Sequence, residues 1–146
     1  MDDLPTEILC RILNFVPQHE LMHVCSKVCR RWNTALASLP VDLCLKDDAL
    51  NVDDLKALTH CFRDSQSFTD RTTTGEFTDE CAGALVSCEK LHTVAIRSGL
   101  GMTNAGLEAL SRLSLLQHLE LPLAKHVTDA GMELVAQRCT RLRTLN

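Results

Sequence analysis

With 146 residues, 45% of them apolar and 23% charged, the chain has room for one domain or for a small module joined to a larger one. A formal net charge of −4 excludes the dominant basic field that nucleic acid requires of its main partner, and no apolar run approaches the ~20 residues of a membrane span. Aromatics make up only 3% and Tyr is absent, so leucine has to fill most of any core, which suits helices and repeats better than a β-sandwich.

The first organised stretch is Leu4 to Trp32. Pro5 suits the first turn of a helix, where its missing N–H is no loss, and Glu7 lies near the positive end of the helix dipole. Ile8, Leu9, Ile12, Leu13, Phe15 and Val16 follow, and Pro17 ends the run. At 100° per residue these side chains span an arc of roughly 160°, wider than the ~100° stripe that one core contact needs. Such an arc serves two packing partners or lies deep in a single core.

A second helix is predicted from His19 or Glu20 to about Val28, with Leu21, Val24, Cys25 and Val28 on one face. A third runs near Arg31 to Ala37, carries Trp32 and Leu36 four apart, and stops before Pro40. Three helices in so short a segment bury little surface alone, so further stability has to come from the rest of the chain or from another protein.

These residues resemble the F-box. The resemblance rests on Leu4-Pro5-x-Glu7-Ile8-Leu9-x-x-Ile12-Leu13-x-Phe15-Val16-Pro17, then Glu20-Leu21, then Val28-Cys29-Arg30-Arg31-Trp32, and covers roughly residues 3 to 40. It implies binding to a Skp-type adaptor and, through it, to a cullin–RING ubiquitin ligase. Carried over by position, adaptor contact falls on Leu4, Pro5, Ile8, Leu9, Leu13, Val28, Cys29 and Trp32. Trp32 also fits a plain core role, and Arg30 with Arg31 fits either steering toward an acidic partner or a solvated surface.

Beyond Pro40, Val41-Asp42-Leu43-Cys44-Leu45 alternates like a short strand, and Asn51 to Leu58 resembles a capped helix start. Residues 63–76 are polar and turn-rich, either a loop or the worn strand of a degenerate repeat. The downstream part then repeats. Thr78 to Ile96 aligns with Thr103 to Leu121 at an offset of 25, a third copy starts at Thr128, and DDLKAL at 53–58 matches AGLEAL at 105–110. A fixed period of this length marks a solenoid.

Within each copy, Thr and the following Asp or Asn are predicted to cap a helix, and Leu-x-x-Leu-x-Leu at 116–121 to form a strand. The copies resemble leucine-rich repeats of the type with a Cys near the helix end, where Cys88 and Cys139 fit and Leu113 departs. The expected fold is therefore α/β, a small three-helix F-box followed by a short right-handed leucine-rich repeat solenoid. The expected boundaries are 1–40 for the F-box, 41–76 for a first strand–helix unit and a degenerate repeat or linker, and 77–146 for the repeats. The chain stops inside a strand-type segment without the polar cap of a finished array, so it is expected to be a fragment of a longer one.

The eight cysteines are Cys10, Cys25, Cys29, Cys44, Cys61, Cys81, Cys88 and Cys139. No secretory signal pattern accompanies them, and most occupy positions suited to a small apolar residue, so reduced thiols in a cytoplasmic or nuclear protein are expected. No metal is expected, because His19 and His23 share one helical face while Cys25 and Cys29 share a diverging one. Phosphate-binding and nucleophile-elbow motifs are absent, and no Cys–His pair has supporting context. The chain is thus expected to be a non-enzymatic substrate receptor without cofactor, taking an unknown protein target on the repeats. The alternatives are an adaptor-bound structural protein that delivers no substrate, and an enzyme using a thiol.

Overall fold

The computed structural model describes residue 35 and residues 42–45, 52–71 and 76–146. Among them lie five strands and four helices in strict alternation. They are β1 (Asp42–Leu45), α1 (Val52–Cys61), β2 (Ser67–Asp70), α2 (Asp79–Leu85), β3 (Thr93–Ala95), α3 (Asn104–Leu110), β4 (His118–Glu120), α4 (Asp129–Arg138) and β5 (Thr144–Leu145). The strands form one parallel sheet in chain order, and each helix packs on the next. Residues 63–76 thus contain a strand, which joins the same sheet as the later units.

The register explains the core. Leu43, Phe68, Val94 and Leu119 stand side by side across the first four strands and are fully buried, with Leu145 next in the row at 36% exposure. Helix residues Leu55, Leu58, Leu85, Leu107, Leu110 and Val135 close over them in one continuous cluster. Helical Ala35, just before β1, is buried in that cluster too. Parallel strands need long crossovers, which is why a helix separates every pair.

The turns from helix to strand share one hydrogen bond. It joins Ser65 to Phe62, Leu91 to Cys88, Leu116 to Leu113 and Leu142 to Cys139, each backbone N–H to carbonyl. Ser65 therefore occupies a slot that leucine fills in the other units. Its buried hydroxyl has no hydrogen-bond partner among the described residues, and an orphaned polar atom of this kind costs about 1–3 kcal/mol.

Thr78, Thr103 and Thr128 take extended N-cap geometry, as their spacing predicts. The residues after Thr78 and Thr103 behave differently from the sequence expectation. Asp79 caps the helix of the following unit: its Oδ1 accepts from the Thr103 N–H at 2.8 Å and the Gly106 N–H at 2.9 Å, and its Oδ2 from the Thr103 hydroxyl at 2.7 Å. Asn104 repeats the arrangement one unit on, accepting from the Thr128 N–H at 3.0 Å and donating to the Thr128 hydroxyl at 2.8 Å. The reason is directional, because the first residue of each helix lies beside the start of the next helix.

The glycines follow from this. A Cβ on Gly106 would sit 2.5 Å from Asp79 Oδ1, and one on Gly131 would collide with the Asn104 side-chain oxygen. Helix α1 starts with Val52, which offers no acceptor, and the corresponding position in α2 is Cys81 rather than glycine. Asp79→Ala is expected to lower stability by about 1–2 kcal/mol in urea titration, while Asp79→Asn, which copies Asn104, keeps most of it.

Candidate functional site

The eight sequence-predicted adaptor residues, Leu4, Pro5, Ile8, Leu9, Leu13, Val28, Cys29 and Trp32, lie outside the described residues. So do His19, His23 and Cys25, the residues weighed for metal binding together with Cys29. Among the described residues no group of three or more His, Cys, Asp or Glu is placed to hold a metal.

The structure does build a second surface, the sheet face turned away from the helices. Alternation sends one set of side chains under the helices and the next outward. The outward set forms rows across the sheet. One row is Asp42, Ser67, Thr93, His118 and Thr144, in which His118 Nδ1 lies 3.1 Å from the Thr144 hydroxyl. The next is Cys44, Thr69, Ala95 and Glu120. Two residues beyond the Thr69–Ala95 pair, Arg71 and Arg97 leave adjacent strands, both exposed. These residues are half-buried or exposed and are small, hydroxylated or charged, so the face is open and polar.

At the opposite edge, where helices turn into strands, Arg63, Asp64, Ser87, Glu89 and Lys90 line an open depression of about 450 Å³. Lys90 Nζ pairs with Asp64 Oδ1 at 2.9 Å, so these charges largely answer one another.

Cys44, Cys61, Cys81, Cys88 and Cys139 are thiols outside any disulfide. Cys88 is fully buried and its Sγ donates toward the carbonyls of Phe62 at 3.4 Å and Thr59 at 3.7 Å, near the end of the preceding unit's helix. Cys139 does the same toward Ser111 at 3.8 Å and Leu113 at 3.9 Å. A thiol in this slot therefore adds a donor to carbonyls at the preceding unit's helix end, and Leu113 fills the slot in the unit between. Burial pushes the Cys88 thiol up to about 11, with smaller opposing effects of Arg63 and Asp64, and it raises Cys61 and Cys139 as well. In the folded chain at pH 8, alkylation of Cys88 is expected to be on the order of a hundredfold slower than that of an exposed thiol, read by peptide mass spectrometry; comparable rates would remove its assignment as a structural thiol.

No helix among the described residues is long and apolar enough to cross a membrane. No curated protein matches the chain. Residues 1–39 match the model of the F-box-like family, so the chain carries an F-box-like domain at its amino-terminal end, ahead of an alternating strand–helix array with an open polar face.

Proposed function

We propose that this chain is the substrate-recognition subunit of an SCF-type E3 ubiquitin ligase. The F-box-like segment binds a Skp-type adaptor and through it a cullin–RING scaffold. The strand–helix units are leucine-rich repeats wound into a right-handed solenoid, and their open sheet face takes a protein target. The subunit contributes no catalytic side chain. It raises the effective concentration of target lysines near a ubiquitin-charged enzyme held elsewhere in the assembly. This activity belongs to the cytoplasm or nucleus.

The observation that carries this reading is the F-box-like match at residues 1–39 on the same chain as the array. The array supports it in two ways. Its hydrophobic interior is closed by the helices, which leaves the polar sheet face for a partner. Its buried thiols, raised by desolvation, are poor nucleophiles. Affinity purification of the full chain with the proteasome blocked tests the proposal. Recovery of adaptor, cullin and a ubiquitinated protein supports it. Adaptor without cullin identifies a structural adaptor-bound protein instead, and the absence of adaptor overturns both readings.

A further inference from the structure

Arg71 and Arg97 follow register-matched positions on β2 and β3, on the outward side of the sheet. Neither side chain makes an ion pair among the described residues, where the pair in evidence is Lys90 with Asp64. Like charges on neighbouring strands destabilise a sheet unless an anion answers them. The chain as a whole carries −4, so this local concentration runs against its average.

The same rim continues into the loop after β4. Gly99 N–H donates to the Pro122 carbonyl at 2.9 Å, and Thr103 bridges to His126, so the segments after β3 and β4 run side by side. This loop adds exposed Lys125 and, two residues before it, Leu123. Leu123 is 60% exposed and holds a left-handed backbone with φ 65°. A leucine there gains little from burial and is disfavoured by its own Cβ. Among the described residues the carboxylates nearby are Glu120, one row below, Glu76, whose Cβ lies near Gly101, and Asp70, which precedes Arg71 and is buried. Asp42 lies at the far strand, in the row furthest from the rim.

We propose that this rim docks an extended acidic segment of a partner protein. Carboxylates of the segment pair with Arg71 and Arg97, and an apolar side chain of the segment covers Leu123. Guanidinium groups suit this task because they bind carboxylates in a two-point fork. Glu120 keeps the acidic residues toward β2 and β3 and away from β4. The inference rests on the reading of the sheet face as the target surface and names the chemistry of that target.

A synthetic decapeptide alternating Glu and Leu, carrying a fluorophore, tests it by anisotropy against the full chain, with an otherwise identical Gln and Leu peptide beside it. The Glu peptide should bind, and binding should weaken at least fivefold between low and 0.5 M salt. Arg71→Glu with Arg97→Glu should reduce its affinity by tenfold or more. Leu123→Gly should weaken binding severalfold while leaving the melting temperature equal or higher, since glycine accepts the left-handed backbone; a purely structural Leu123 would lower it. Equal binding of the Glu and Gln peptides, or unchanged binding by the arginine double variant, would overturn the proposal. Adaptor capture by the same preparation separates the two failures: adaptor retained with an indifferent rim sinks this inference alone, and adaptor lost sinks the ligase reading.

Discussion

Phe68→Ala is expected to destabilise the array by about 3–5 kcal/mol, against a total of about 5–15 kcal/mol for a typical domain. Phe68 is fully buried, stands in register between Leu43 and Val94, and its ring lies 5.9 Å from that of Phe77 at a tilt of 53°. With aromatics at 3% of the chain, this pair is a large share of its aromatic packing. Neighbours in the row are branched aliphatics fixed by the strand register, so they cannot slide into the gap, and the cavity persists. Urea unfolding followed by circular dichroism measures the effect. A loss below about 1 kcal/mol would mean that β2 is not held in this core.

The second large effect concerns the F-box-like domain. Leu4→Ala combined with Pro5→Ala is expected to abolish capture of a Skp-type adaptor while the strand–helix array stays folded. Deleting a buried leucine costs about 2–5 kcal/mol, enough to weaken an interface by more than tenfold if the leucine is buried against the adaptor. Among the described residues, Ala35 is the one member of the array's continuous core that comes from the F-box-like segment, so the array's unfolding midpoint serves as the internal control. Unchanged adaptor affinity in the double variant, with the array intact, would remove Leu4 and Pro5 from the contact.

What was legible in the sequence followed leucine. Leu116, Leu119 and Leu121 are all buried, and the spacing that predicts a strand over 116–121 leads to β4, although the strand is shorter because Leu116 belongs to the turn before it. Strand β2 was half hidden. In Ser-Phe-Thr-Asp only Phe68 is apolar, Asp70 is buried as well, and Ser65 replaces the leucine of the preceding turn. Periodicity loses such a strand because its place is fixed by neighbours on both sides.

The outward face was illegible for a different reason. Arg71 and Arg97 are 26 positions apart in the chain and acquire meaning only when the register sets the ends of β2 and β3 side by side. The threonines hold the N-cap positions as expected, but local reasoning gives Asp79 and Asn104 to their own helices, whereas they cap the helices that follow. A signal was present: Gly106 and Gly131 each follow an Asp or Asn one repeat earlier, whereas Cys81 follows Val52. The adaptor residues rest on resemblance rather than on local periodicity, and the segment that carries them falls within the F-box-like match at residues 1–39.

The Asp79 and Asn104 contacts also give the array a grain. Each of these two side chains serves the unit ahead of it, so helix capping is handed forward along the chain, while the thiols of Cys88 and Cys139 tie back to the unit behind. Damage to an early unit withdraws the anchor of its successor, while unwinding of α4 leaves the cap on α3 intact. A chain emerging from the ribosome would therefore find the starts of α3 and α4 met by a ready-made acceptor, whereas the start of α2, behind Val52, has none among the described residues.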